Sequence, residues 1–403
     1  MQDDARHYAA SVLQHLQQTD LTDSFCCYGT NDSVLIGIGR AASLNLIDSG
    51  SLDSVWSQIS EFITANSNEY IFGFIGFDPA NQLNKKVESY QQKMDLFVPD
   101  TVIRCSKSGY KVIKGDANIE DIKEYHSHKN QNSLPIQNID NDALRKQYSK
   151  SVEKFINLIE KGSLERATLA RKIPSHFTFD LSGTFTANHS RHSLARSFYF
   201  SNPHIAFAGQ SPELLAEGNT RLFSTHKLSG TQAKNNSHTI AKQISSFQSS
   251  PRIISEHQSA IVSIEKSLLD LGTLNATKFK VMELPTLFHG WSSFETSPST
   301  GTSIANCLRA IIPYGVNPLE QGFELLAQHE NFCRGPYYGL VGCITPDGDF
   351  SFTQVLRSAF RDANGSYLMA GAAITSQSTA EIETAETCTK LVGIQVFEKN
   401  TDI

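Results

Sequence analysis

Apolar and polar residues along the chain follow two kinds of spacing, which predict where helices and strands lie. Apolar side chains between 53 and 64 recur every three or four residues, which predicts a helix there. Short apolar runs at 34–38 and 71–77 are bounded by glycine and polar residues, a pattern typical of strands. The N-terminal subregion, about 1–115, is therefore predicted to mix helices and strands.

The second half of the chain opens on a helical pattern. One apolar stripe runs from Leu144 to Ile159, and we expect that helix to end at Gly162. β-rich runs follow from 166 onwards, separated by Pro, Asn or Gly, and helical spacing returns at 380–396. Successive strands joined by short turns favour antiparallel pairing, so we predict an α+β fold with helices packed outside the sheets.

The most polar stretch of the chain, 116–142, has almost no aliphatic periodicity and several turn-forming residues. It is predicted to be a linker or surface crossing. The 403-residue length permits two or three domains but also suits a single large one. This crossing would separate the N-terminal subregion from a motif-bearing region at 143–403.

Composition and charge exclude several classes of protein. The chain is 39% apolar, has no long apolar run and carries a net charge of −6, so we expect a folded protein without a membrane span. No run of Lys and Arg is present, which argues against a nucleic-acid partner. The N-terminus lacks the pattern of a signal peptide, and the seven scattered cysteines include no CxxC pair. We therefore expect a cytoplasmic protein with reduced cysteines.

Two motifs have weak or conditional chemical meaning. The segment GIGRAA at 37–42 superficially matches a dinucleotide-binding fingerprint, but no helix is predicted to open there, so we reject that reading. Glu383 and Glu386 are three residues apart on a predicted helix, with Lys390 one turn further on. Such a pair is usually a solvated face. If Glu256 of another predicted helix converged on it, the carboxylates would suit a hard divalent cation such as Mg²⁺.

Three other segments contain groups that hold small anions: GQSPELL, HKLSGTQ and CRGPYYGLVG. Each alone is more simply read as a structural turn. Taken together and in order, however, these segments resemble the chorismate-utilizing enzyme family, which includes anthranilate, isochorismate and salicylate synthases. The resemblance covers about 144–394 and includes LERATLARK, SPELL, KLSGT, SEH, VMELPTLFHGWSSF, RGPYYG, VLRSAF, AGAAI and AEIETAETCTKL.

This resemblance implies one domain, residues 1–403, built of two antiparallel sheets with helices outside, with chorismate as substrate and Mg²⁺ as cofactor. It also implies roles for individual residues. The implied magnesium ligands, direct or through water, are Glu256, Glu383 and Glu386. The groups implied to hold the enolpyruvyl carboxylate of the substrate are Tyr337, Arg357, Lys390 and the backbone at Gly371. Further implied substrate-binding residues are Ser229, Gly230 and Thr231. The implied general acid is Glu213, and His289 would lie near the ring of the bound chorismate.

The chain also departs from the family pattern. Arg166 stands where water-using members have a lysine general base, and arginine stays protonated at physiological pH. Ile253 stands where many members have a further glutamate, and Ala373 replaces a glycine. The segment 309–318 replaces a small-residue loop. We expect each of these changes to narrow or reshape the site.

The leading prediction is Mg²⁺-dependent conversion of chorismate to isochorismate, with or without pyruvate elimination to salicylate, for siderophore or other aryl-acid secondary metabolism. Two alternatives stay open. Ser229 resembles ammonia-using members, which would need free ammonium or a separate amidotransferase subunit. Arg166 would also fit a catalytically impaired homologue that binds chorismate, although six charged site residues are retained.

Overall fold

The structure, a computed structural model, describes residues 5–18, 24–30, 32–46, 51–78, 93–117, 133–187, 195–276, 279–284 and 287–399. The helices are α1 (Ala5–Gln18), α2 (Leu52–Ala65), α3 (Asp142–Glu160), α4 (Leu181–Ala187), α5 (Ile240–Ser249), α6 (Pro251–Leu271), α7 (Ile304–Ile311), α8 (Leu319–His329) and α9 (Ala380–Val392). The first strands are β1 (Phe25–Gly29), β2 (Ser33–Ile38), β3 (Ala42–Leu46), β4 (Ile71–Ile75), β5 (Met94–Val98), β6 (Thr101–Ser106), β7 (Gly109–Lys114), β8 (Arg166–Pro174), β9 (Arg196–Ser201) and β10 (Ile205–Ser211). The later strands are β11 (Leu214–Gly218), β12 (Phe223–Ala233), β13 (Gly272–Ala276), β14 (Lys280–Glu283), β15 (Leu287–Pro298), β16 (Val316–Asn317), β17 (Leu340–Ile344), β18 (Phe350–Gln354), β19 (Ser358–Asp362) and β20 (Gly365–Ile374).

These strands form two ten-stranded sheets. The first has the order β16-β8-β20-β19-β10-β9-β1-β2-β6-β7. The second has the order β13-β15-β12-β11-β18-β17-β4-β5-β3, and β14 pairs with β15. Neighbouring strands in both sheets run antiparallel. Strands distant in sequence, such as β8 and β20, therefore lie side by side.

A cluster of aromatic residues lies between the sheets. It joins Phe74 of β4 to Phe200 and Phe207 of the first sheet, with ring centroids 5.0 and 5.4 Å apart. Separate apolar clusters lie under α1 and α4 on one sheet and under α2, α6 and α7 on the other. The predicted α+β architecture, two antiparallel sheets with helices outside, is confirmed.

The predicted helices agree with the structure within a few residues. Helix α2 covers the predicted 53–64 segment and buries its apolar stripe. Helix α3 ends at Glu160, and Gly162 then adopts φ 76°, as expected for a helix stop. Helix α9 ends at Val392, before the predicted 396, because Ile394 and Val396 leave the helix to pack into the cluster under the first sheet.

The GIGRAA segment forms a turn between strands. Gly39 has φ 75°, and a Cβ at this position would lie 2.2 Å from Oδ2 of Asp100. Strand β3 follows where a dinucleotide fingerprint needs a helix. The segment therefore lacks the strand–turn–helix geometry of a dinucleotide fingerprint.

The C-terminal end of the polar stretch 116–142 is not a surface crossing. Residues 118–132 lie outside the described residues, so that part of the prediction is not tested. At its C-terminal end, Ile136, Ile139 and Asp140 are buried, and Asp140 pairs with Arg171 of β8 at 2.5 Å. The chain therefore lies in the core just before α3 begins, which corrects the prediction for that end.

The seven cysteines are free thiols and six of them are buried, as predicted. Within the described ranges, no helix combines the length and apolar character needed to cross a bilayer.

Candidate active site

A cavity of about 370 Å³ collects most of the predicted site residues. Its walls come from β8, β12, β15, β20, α6, α9 and the segment around 309–319. The predicted residues in its walls are Arg166, Glu213, Ser229, Thr231, Glu256, His289, Tyr337, Arg357, Gly371, Glu386 and Lys390. Gly230 and Glu383 lie behind the wall, against Glu256 and Glu386 respectively. Residues 144 to 394 are thus folded so that distant motifs meet in one place.

A β-bulge in β12 shapes one side of the cavity. The register with β15 shifts between Ser229 and Thr231, and the extra residue, Gly230, has φ 77°. Its N–H donates to Oε1 of Glu256 at 3.0 Å. A Cβ at Gly230 would lie 2.8 Å from Cγ2 of Ile253, so glycine lets α6 approach the strand.

The departures from the family pattern have different structural outcomes. Ala373 and the segment 309–317 line the cavity, so they do shape it as expected. Ile253 instead packs with Phe247 and Phe288 in a small apolar cluster. The expectation that position 253 reshapes the cavity is therefore wrong, because its side chain faces the bulge.

Three carboxylates repel one another beside the cavity. Burial, then the charges of Glu386 and Glu256, raise the pKa of Glu383 to about 7. Burial and the charge of Glu386 also raise the pKa of Glu256. Two cations offset part of this charge: Lys390 Nζ lies 2.7 Å from Glu386, and Arg252 lies 3.6 Å from Glu256.

We tested whether these groups fit the Mg²⁺ that the family resemblance implies. Carboxylate oxygens are the ligands that Mg²⁺ prefers, and a divalent cation would relieve the repulsion that raises both pKa values. In the described part of the chain, no three acidic, His or Cys side chains are already gathered closely enough to hold one ion. The donor chemistry therefore fits Mg²⁺, but the ligands are not preassembled.

His289 is a neutral hydrogen-bond acceptor beside a guanidinium. Burial, then the charges of Arg357 and Lys390, hold its pKa well below the usual range. Its Nε2 lies 3.2 Å from Nη2 of Arg357, and its Nδ1 lies 3.1 Å from Oγ1 of Thr231. Because arginine only donates, Nε2 accepts and Nδ1 carries the proton toward Thr231. His289 thus orients Arg357, and its imidazole is neutral.

Lys390 ties two elements of the cavity wall together. Its Nζ donates to the carbonyl of Gly371 at 2.9 Å, which ties α9 to β20. A Cβ at Gly371 would lie 3.2 Å from the hydroxyl of Tyr337, so the glycine leaves room for that group. Burial raises the pKa of Tyr337, which therefore keeps its O–H as a donor.

Two residues of the cavity wall have left-handed backbone. Tyr338 has φ 69° and Arg357 has φ 49°. Side chains of this kind rarely adopt such angles, which cluster at functional sites. Tyr338 is held by a hydrogen bond from its N–H to the carbonyl of Val355 at 3.0 Å. Nη1 of Arg357 donates to the carbonyl of Lys390 at 3.2 Å.

Arg166, at the start of β8, lines the cavity. Its Nη1 donates to the carbonyl of Ser259 in α6 at 3.1 Å. This contact holds a permanent cation at the position where the family resemblance implies a lysine in water-using members.

Sequence analysis did not single out Lys227 or Tyr338, and both line the cavity. Nζ of Lys227 forms a very short ion pair with Glu213. A signal was available, because Lys227 lies two residues before Ser229 and residues two apart share a strand face. The sequence analysis interprets this segment as a turn, whereas it lies in β12, so the alternation of side chains along the strand was not used.

Comparisons with known proteins identify the family of this chain. A family model described as chorismate binding enzyme matches residues 19–395. The salicylate synthase of Mycolicibacterium paratuberculosis is 28% identical over 60% of this chain and 56% of its own length. The isochorismate synthase MenF of Escherichia coli is 26% identical over 62% of this chain and 59% of its own length. The chain thus spans less than two thirds of the length of these relatives.

Solved structures share the fold. The putative 2,3-dihydroxybenzoate-specific isochorismate synthase DhbC of Bacillus anthracis has a TM-score of 0.72 at 18% identity, covering 94% of this chain and 97% of its own. The Escherichia coli MenF structure has the same TM-score, 0.72, at 21% identity, covering 96% of this chain and 90% of its own. With a family match over most of its length and this fold, the chain belongs to the chorismate binding enzyme family.

Proposed function

We propose that this protein is a Mg²⁺-dependent enzyme that converts chorismate to isochorismate, with or without pyruvate elimination to salicylate, for siderophore or other aryl-acid secondary metabolism. One observation carries the proposal: eleven of the residues predicted to act in catalysis or to bind chorismate or the metal line one cavity. These residues come from motifs more than 200 positions apart in the chain.

The cationic side of the cavity suits a carboxylate of the substrate. Arg357 is half-buried, and desolvation lowers its pKa to about 10, so it stays charged at neutral pH. Its contacts with His289 and Lys390 fix the plane of the guanidinium before a ligand arrives. A fixed guanidinium holds an anionic group with little loss of side-chain freedom. The ammonium of Lys390, which pairs with Glu386, adds a second cation to the cavity wall.

The acidic side of the cavity suits the metal. Glu256, Glu386 and, directly or through water, Glu383 would hold it. When bound, Mg²⁺ would screen the ring carboxylate of the substrate. Without it, the three carboxylates repel both one another and an anionic substrate.

An ammonia-using reaction is the second candidate, and Arg166 favours it. An attacking water must lose a proton, and the guanidinium beside Ser259 cannot accept one. Ammonia can attack without a base, so the cavity would suit an aminodeoxyisochorismate or anthranilate synthase type of enzyme. This chemistry would need free ammonium or a separate amidotransferase subunit.

One experiment separates these candidates. Purified protein is incubated with chorismate and Mg²⁺, with and without ammonium, and the products are resolved by chromatography. Isochorismate or salicylate without ammonium supports the proposal, and an aminated product formed only with ammonium supports the second candidate. Absence of turnover, with chorismate still raising the melting temperature, would refute both and indicate a chorismate-binding homologue without catalysis.

A further inference from the structure

The ion pair between Lys227 and Glu213 is the feature of the cavity that the predicted roles do not explain. Glu213 was predicted to be the general acid, a role that requires a proton on its carboxyl group. In the structure its Oε1 accepts a charge-assisted hydrogen bond from Nζ of Lys227. Both side chains are largely shielded, with 6% of the Glu213 side chain and 16% of the Lys227 side chain exposed.

The main chain fixes the position of Glu213. Its carbonyl accepts hydrogen bonds from Oγ1 of Thr353 at 2.5 Å and from the N–H of Gln354 at 3.1 Å. Its own N–H donates to Oγ of Ser211 at 3.3 Å. These contacts hold the short connection between β10 and β11, so the carboxylate is a fixed anchor for the longer lysine side chain.

Several charged or titratable groups surround the lysine. Tyr338 acts with Glu213 to favour the ammonium form, whereas Arg166 of β8 opposes it. The charge of Lys227 also lowers the pKa of His257 of α6 and of His289 of β15, which helps to keep both imidazoles neutral. Burial is the largest single influence and lowers the pKa of Lys227, but the charges of Glu213 and Tyr338 and the hydrogen bond to Glu213 together outweigh it, and the pKa is raised. At neutral pH the proton of this pair therefore stays on nitrogen.

Taking the proposed function as a premise, we propose that Lys227 is the catalytic acid of this site and that Glu213 is its positioning residue. As the ring C4–O bond breaks, its electron pair stays on oxygen, and a proton from Nζ turns that hydroxyl into water. As water or ammonia bonds to C2, both ring double bonds shift, from C1–C2 and C5–C6 to C1–C6 and C4–C5, so that the bonding electrons lost with the hydroxyl are replaced at C4. The excess proton of the nucleophile passes to solvent, from which the neutral lysine regains its own.

The ranking of three variants tests this assignment. Lys227→Arg keeps the charge and the ion pair, but arginine does not release a proton, so kcat should fall about 10²-fold or more with KM little changed. Glu213→Gln keeps an oxygen acceptor for the lysine and should lose about tenfold or less. Lys234→Met, which removes a lysine paired with Glu283 at 2.6 Å, is the matched control. A larger loss in Glu213→Gln than in Lys227→Arg would overturn the assignment.

The pH profile gives a second test. With an ammonium as the acid, kcat should stay level from about pH 6 to pH 9. If a carboxylic acid were the donor, kcat would instead fall as the pH rises above about 6. That result would return the acid role to Glu213.

A third measurement does not depend on turnover. In protein labelled with ¹³C-glutamate, the Glu213 carboxyl signal is assigned by its disappearance in Glu213→Gln, and its shift reports ionisation. An ionised carboxyl at pH 7 that takes up a proton at higher pH in Lys227→Met supports the assignment. A protonated carboxyl in the unaltered protein overturns it. A protein that does not convert chorismate would refute the proposed function, while this signal would still show which residue carries the proton.

Discussion

Replacing Glu383 by glutamine should stabilise the protein at alkaline pH. Glu383 is 3% exposed, and its pKa is raised from 4.5 to about 7 by burial and by the carboxylates of Glu386 and Glu256. In the unfolded chain the same group ionises near 4.5. Between these two values the folded state binds more protons, so stability decreases as the pH rises from about 4.5 to about 7 and is then level.

The size of this effect follows from the same difference in pKa. A change from 4.5 to about 7 corresponds to about 3 kcal/mol of unfolding free energy. Glutamine stays neutral at every pH, so Glu383→Gln should recover about 3 kcal/mol at pH 8.5 and almost nothing at pH 4.5.

Denaturant unfolding at both pH values, in a chelating buffer, measures the difference. Glu381→Gln is the matched control, because Glu381 lies in the same first turn of α9 but is exposed. Adding Mg²⁺ at pH 8.5 should stabilise the unaltered protein more than Glu383→Gln. If the two glutamine variants show the same pH dependence, the reasoning about buried, repelling carboxylates is refuted.

Three other substitutions give separate predictions. Gly230→Ala should cost at least 1 kcal/mol more than Gly348→Ala in thermal unfolding, because both positions have positive φ but only a Cβ at Gly230 has a close contact, at 2.8 Å. Equal losses would show that the bulge tolerates a methyl group. Asp140→Asn should cost about 3–5 kcal/mol by leaving the buried guanidinium of Arg171 without its anion, and a loss under 1 kcal/mol in urea unfolding would contradict this. Arg166→Lys should raise water-dependent turnover of chorismate by restoring a proton acceptor. Unchanged product formation without ammonium would refute the reasoning that arginine at position 166 deprives the site of its base.

Local patterns in the sequence predicted the elements well, because local side-chain spacing decides them. The helix at 53–64 and the stop at Gly162 both rest on contacts within a few residues. The pairing of β8 with β20 brings together residues about 200 positions apart, and no local spacing encodes such a partner. The order of the family motifs, and not the periodicity, predicted that these distant segments belong to one fold.

Side-chain direction was the harder part of the site. Ile253 and Glu256 are one turn apart on α6, yet one packs with Phe288 and the other lines the cavity. That difference depends on a bulge in another strand, which the sequence does not specify. Lys227 was missed for a related reason, because reading its segment as a turn removed the alternation that places it in the wall.

The left-handed backbone at Tyr338 and Arg357 has a consequence for engineering this protein. Glycine at either position would relax the main chain and remove a side chain from the cavity wall. Libraries screened only for heat resistance would therefore favour variants at these two positions that lose a side chain from the cavity wall, including the guanidinium of Arg357. Thermostabilisation of this chain should start from the exposed helix faces and leave both residues untouched.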